Sequence, residues 1–161
     1  MRIIGGLLVL AIGWWLYGVF FPSPEAVIRK RLTKIAELAS FDGKEGNIAR
    51  IANVTQLVDC FALAVEVRVD APAQAQHTFN GKDEIRQALL GVRSALRGLE
   101  VTFLDPQISV RADGLAADVL LTAYARLPDD RDQFPQELKI RFEKQERSWL
   151  ITQIETVRTL R

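Results

Sequence analysis

Hydrophobic residues fall along this chain in three regimes: one unbroken run, then a helical rhythm, then alternation. The unbroken run is Ile3 to Phe21, 19 residues without a charge. As a helix rising 1.5 Å per residue it spans roughly 28 Å, close to the ~30 Å hydrocarbon core of a bilayer. The run is therefore expected to be a single-pass transmembrane anchor, residues 1–22. Trp15 and Tyr17 lie toward its C-terminal half, where amphipathic rings favour the interface. A cleaved leader is the rival reading, and the exit suits it poorly. Phe20, Phe21 and Pro22 are bulky or rigid where a cleavage site needs small side chains. Orientation stays open: Arg2 favours a cytoplasmic start, while Arg29, Lys30, Arg31 and Lys34, close behind the run, favour the reverse.

The helical rhythm begins at Ser23-Pro24, an oxygen cap followed by proline at the first helical position. Val27, Ile28, Leu32, Ile35 and Leu38 recur at helical spacing, which predicts a first helix over about Pro24 to Ser40. Arg29, Lys30, Arg31 and Glu37 are assigned to its wet side. A second helix starts either at Asp42, which has capping-box spacing to Glu45, or at Asn47, because Gly46 weakens the run. Ile48, Ile51, Val54, Leu57, Val58 and Phe61 are expected to form its apolar face. Asn80-Gly81, with Asp83 and Glu84 close behind, opens a third helix with Ile85, Leu89, Val92 and Leu96 as the buried stripe. Gly98 is expected to end it.

Alternation marks the strands. Val65, Val67 and Val69 alternate with Glu66, Arg68 and Asp70, and Gln74 to Phe79 forms a short return strand. From Val101 to Arg111 a strand is predicted with a bulge or bend at Asp105-Pro106. Asp113-Gly114 signals a tight hairpin into Ala117 to Arg126. A polar loop, Leu127 to Gln136, leads to a strand over Glu137 to Glu143, and Trp149 to Leu160 makes the last. Three helices with a strand pair inserted, then four antiparallel strands, is an α+β pattern.

Composition narrows the chemistry. The formal charge is +1, from 21 Lys+Arg against 20 Asp+Glu, and Arg2 is the one charge in the first 22 residues. The remainder is charge-balanced, which argues against a broadly basic nucleic-acid-binding surface. One cysteine, Cys60, excludes an intrachain disulfide, and one histidine, His77, excludes multi-histidine zinc ligation. Cys60 reads as a small buried side chain rather than a reactive thiol.

Several pieces then come together: Gly81-Lys82-Asp83-Glu84-Ile85 opening the third helix, Gly114 through Ala117-x-Val119 opening a long strand, and Lys144-Gln145-Glu146-Arg147-Ser148 before Trp149-x-Ile151. In this order they resemble the NTF2-like (SnoaL-like) superfamily, over about Pro24 to Leu160. The resemblance implies a cone-shaped roll: three N-terminal helices packed on a curved, mainly antiparallel sheet, with the domain at residues 23–161 behind one transmembrane helix. It also implies a conical pocket and, as in many members, a dimer through the outer sheet face. The superfamily holds isomerases, dehydratases, cyclases, ligand-binding modules and interaction domains, so the fold does not select a function.

Steroid-isomerase-type members use a carboxylate base and an oxyanion partner. Asp59 lies in the region resembling their base-bearing segment. Their first-helix tyrosine has no counterpart here, because Pro24 to Ser40 contains none. His77 suits acid–base work near neutral pH, and Asp105 is the candidate ligand-binding carboxylate of the pocket. The catalytic candidates are therefore Asp59 and His77. Each residue also has a plainer role: Asp59 as a cap, His77 as a solvated edge group, Asp105 as a turn former. No cofactor or metal site is read. The favoured function is a noncatalytic, membrane-tethered module for protein interaction or small-ligand binding. The alternative is a small-molecule isomerase or lyase, which needs at least two of Asp59, His77 and Asp105 converging on an open pocket. Expected partners are a second copy or another protein on the outer sheet face, the membrane through residues 3–21, and a small apolar ligand in the cone. Leu120, Thr122 and Tyr124 form that outer set, opposite Val119, Leu121 and Ala123.

Overall fold

A computed structural model describes residues 23–69, 77–128 and 133–157. The expected membrane span lies outside the described residues, as does most of the segment before His77. Among the described residues no helix is long and apolar enough to cross a membrane.

Helix α1 runs Pro24–Ala39 and starts as expected, with the Ser23 hydroxyl accepting from the Ala26 amide at 3.3 Å. It ends at Ser40, whose hydroxyl accepts from the Val101 amide at 3.0 Å and so ties the helix end to the sheet. A two-residue strand β1, Phe41–Asp42, follows, and then α2, Asn47–Val58. Strands β2 (Phe61–Val69) and β3 (His77–Asn80) lead to α3, Gly81–Ala95. The rest is sheet: β4 Gly98–Val110, β5 Ala116–Arg126, β6 Gln133–Gln145 and β7 Ser148–Thr156.

The seven strands form one curved sheet in the order β1-β4-β5-β6-β7-β2-β3. All pairs are antiparallel except β2 with β7. That parallel pair closes the fold, joining the early hairpin to the last strand. Its seam is locked at one end, where the Ile151 amide donates to the Cys60 carbonyl at 2.9 Å. Helix α1 lies over β4, while α3 lies over β2, β3 and α2. Between helices and sheet, Ile28, Leu32 and Ile35 of α1 meet Val54, Leu57 and Val58 of α2 and the inner sheet residues Val119, Leu121, Ile140, Phe142, Trp149 and Ile151 in one core.

Of the two expected starts, the second helix takes Asn47. Glu45 turns away from any cap to meet Arg93, and the Asp42 carboxylate instead accepts from the Lys44 amide at 3.0 Å. Only the C-terminal half of its apolar face is covered: Val54, Leu57 and Val58 are buried, but Ile48 and Ile51 are 86% and 60% exposed. Phe61 belongs to β2. The stripe of α3 is turned: Ile85 is buried and Leu89 packs on the core, but Val92 is exposed and its neighbour Arg93 is buried. Gly98 opens β4 rather than capping α3, and a Cβ there would stand 2.7 Å from the Pro128 ring.

The sheet otherwise follows the alternation. The register of β4 against β5 shifts between Leu104 and Gln107, so the Asp105-Pro106 bulge is present. The β4–β5 hairpin turns at Gly114, whose φ of 67° suits a residue without a Cβ. Strand β6 is longer than predicted and takes up much of the expected loop, with Pro135 opposite Tyr124.

Candidate functional site

The three acid–base candidates lie in three places. Asp59 caps the C-terminus of α2, its amide donating to the Thr55 carbonyl at 3.0 Å, and its side chain is exposed. His77 is the first residue of β3, at the sheet edge opposite Val69, and is exposed. Asp105 sits in the bulge of β4 at φ 50°, also exposed. It borders a shallow hollow of about 260 Å³ with Gln107, Leu120, Thr122, Glu137 and Val157. Asp59 borders a different one.

That second hollow is the groove between α1 and the end of α2, about 390 Å³, within the usual size range of small-ligand sites. Val27, Arg31, Lys34 and Leu38 follow one another at steps of four, three and four, so they form one stripe of α1, and Lys30 flanks it. Gln56, Asp59 and Cys60 form the opposite bank. Val27, Leu38 and Cys60 supply apolar surface. Lys30, Arg31 and Lys34 supply three cations, and among the described residues none of them makes an ion pair. Arg31 was assigned to the wet side of its helix. It is instead half-buried, with its Nε shut off from water and without a hydrogen-bond partner among the described residues.

Cys60 is 6% exposed, and its thiol donates to the Gln56 carbonyl at 3.5 Å. Burial pushes its pKa above the usual thiol value, and the Arg31 charge offsets this only in part. The thiol therefore stays protonated at neutral pH and acts as a packing group.

A buried ion pair was missed in the sequence. The Arg93 guanidinium donates from Nη1 to both Glu45 oxygens, at 2.7 and 2.6 Å, and from Nη2 to the Leu38 carbonyl. It also lies 4.7 Å from the centre of the Phe41 ring. Asn53 donates to Glu45 at 2.7 Å. The two charged side chains are 2% and 9% exposed. Burial raises the Glu45 pKa, but the hydrogen bonds from Arg93 and Asn53 and the charges of Arg93 and Arg50 outweigh it and hold the carboxyl below its ordinary value. The signal was present: Arg93 stands four residues after Leu89 and eight after Ile85, on the apolar stripe, where a lone charge needs a buried partner. These hydrogen bonds all run to the protein's own groups, so the pair fastens the β1–α2 loop to α3.

The outer sheet face is a mosaic. Asp118 pairs with Arg141 at 2.9 Å, Lys139 with Glu155 at 3.4 Å, and Arg126 with Glu100. Among these charges Leu104 and Leu120 stand 44% and 46% exposed, with Tyr124 half-buried beside Thr102 and Pro135. Alternation therefore assigned the two faces of β5 correctly. Among the described residues no group of three or more histidine, cysteine or carboxylate side chains is placed to hold a metal ion.

No family model matches the sequence, and no curated protein matches it. Solved structures do match in shape. An NTF2-like protein with a cystatin-like fold from Novosphingobium aromaticivorans superposes with a TM-score of 0.64 at 16% identity, covering 91% of this chain and 86% of that one. A candidate scytalone dehydratase from the same organism gives 0.60 at 16% identity, over 83% and 84%. The yeast UBP3-associated protein BRE5 gives 0.61 at 10% identity, over 83% and 95%. At these identities the likeness concerns the fold: the described residues form an NTF2-like α+β roll.

Proposed function

We propose that this chain is a membrane-tethered NTF2-like domain that binds a partner and does not turn over a substrate, meeting a second copy of itself through the outer sheet face. The observation that carries this reading is the separation of Asp59, His77 and Asp105. Proton-transfer catalysis needs an acid or base and a charge-stabilising group within hydrogen-bond reach of one reacting atom, in a site closed to water. Here three exposed side chains lie on an α2 terminus, a sheet edge and a bulge.

The outer face offers what an interface needs. Leu104, Leu120 and Tyr124 supply apolar contact area. Asp118 and Arg126 at the ends of the β5 outer set are each paired within their own chain, so burying either does not strand its charge. The fold neighbours include a UBP3-associated protein and a candidate dehydratase, consistent with a scaffold used both ways. Sedimentation equilibrium of residues 23–161, which hold the whole described core, tests the contact. A dimeric mass at micromolar concentration is expected, and Tyr124→Glu weakens it while leaving the monomer folded. A monomer throughout the micromolar range refutes self-association.

A further inference from the structure

The α1–α2 groove has a composition that the outer-face reading does not use. It has apolar lining, its α1 bank carries three cations that make no ion pair among the described residues, and one of them, Arg31, beside the Cys60 thiol, has a solvent-excluded Nε without a hydrogen-bond partner among those residues. Asp59 on the opposite bank leaves the lining at a net charge of about two positive. Unpaired guanidinium and ammonium groups beside an apolar surface select a ligand with an anionic head and a hydrocarbon part. The placement in the chain is equally specific. Helix α1 begins at Pro24, three residues after Phe21, and Lys34 is ten residues further, roughly 15 Å along the helix. Basic side chains immediately beyond a membrane-spanning segment face the anionic headgroup layer.

We propose that this groove binds an anionic phospholipid, with the phosphate between Lys30, Arg31 and Lys34 and the start of an acyl chain on Val27 and Leu38. In phosphatidylglycerol, the free hydroxyls of the headgroup would donate to Asp59, the one carboxylate of the lining. The choice of a membrane lipid over a free anionic amphiphile rests on Ile3–Phe21 being a membrane span, and the experiment separates the two.

The full chain in maltoside micelles is titrated with dioleoyl phosphatidylglycerol or dioleoyl phosphatidylcholine and read by native mass spectrometry. One phosphatidylglycerol per chain is expected, with at least a tenfold preference over phosphatidylcholine. Lys30→Glu with Lys34→Glu changes two exposed side chains, and it should abolish the preference without changing the circular dichroism spectrum. Arg31→Gln provides a second variant, expected to lower the preference severalfold. Hexyl phosphate, a water-soluble amphiphile, forms the other arm. Binding of hexyl phosphate without a preference for phosphatidylglycerol overturns the lipid assignment and leaves a groove for free amphiphiles. Equal loading of the two lipids with no hexyl phosphate bound, or a preference untouched by both variants, overturns the site. Release of the full chain from native membranes by carbonate removes the membrane source alone.

Discussion

Arg93 occupies a position that the rhythm of α3 reserves for a hydrophobe, and its burial is tolerable only because every donor in use finds an acceptor. Removing one partner of such a pair strands the other charge, at a cost of about 3–5 kcal/mol. Arg93→Ala should destabilise the domain by that much, measured by urea unfolding with an unchanged slope. Replacing both partners, Arg93→Met with Glu45→Leu, should recover most of the loss, because an apolar pair strands nothing. The pair also sets an acid dependence. The Glu45 carboxyl has a lower pKa folded than unfolded, so the unfolded chain binds the extra proton as pH falls. The stabilisation is complete above the unfolded value near 4.5 and is lost as pH drops through the lower folded one. In Glu45→Gln the stability-against-pH curve should be flatter over that window, by chemical denaturation at a series of pH values. Identical curves for variant and parent would assign the acid limb to other carboxylates. Periodicity gave the address of Arg93 but not its partner, since Glu45 is 48 residues away and lies in a loop.

At the scale of elements, the helices and strands were legible wherever a local rule acts alone. Ser23-Pro24 starts α1, Gly114 turns a hairpin, and Asp105-Pro106 breaks the β4 register because proline cannot donate to the ladder. What stayed hidden was the extent of cover. Helical spacing shows that Ile48 and Ile51 share a face with Val54, but not that the neighbouring elements begin to cover α2 only at Val54. The same blindness applies to α3, where Val92 was expected on the buried stripe and is exposed instead. The bulge makes a sharp prediction. Asp105 holds a left-handed φ of 50°, which costs a β-branched residue about 1–2 kcal/mol and glycine almost nothing. Asp105→Val should lower the unfolding midpoint while Asp105→Gly leaves it nearly unchanged; equal losses in both would point to a role for the carboxylate itself. Trp149, 3% exposed at the start of β7, is the heaviest anchor of the last hairpin. Trp149→Ala should cost about 3–5 kcal/mol in the same assay. An unchanged midpoint would contradict its burial.

For the whole molecule, the parallel β2–β7 contact joins residues some 90 positions apart, and no alternation pattern announces a partner at that distance. The family resemblance implied a curved, mainly antiparallel roll but not this pairing. It was less informative about the site, because acid–base residue types chosen one at a time carry no information on whether they meet. Asp59 did border a groove, yet the cations across it, Arg31 above all, looked like surface charges until the helices were packed. The membrane anchor is a separate claim, tested by carbonate washing of membranes: full-length protein should stay in the pellet, and its release would refute the span. The binding proposal is tested most directly by disulfide cross-linking of the full chain in its native membrane. Cys60→Ser removes the native thiol, and Leu120→Cys then places one at the centre of the outer sheet face. Copper-phenanthroline oxidation should give a dimer at Leu120→Cys and none at Ile48→Cys, on the uncovered part of α2. Monomer alone at Leu120→Cys, or a dimer at Ile48→Cys in its place, would contradict an interface on the outer sheet face.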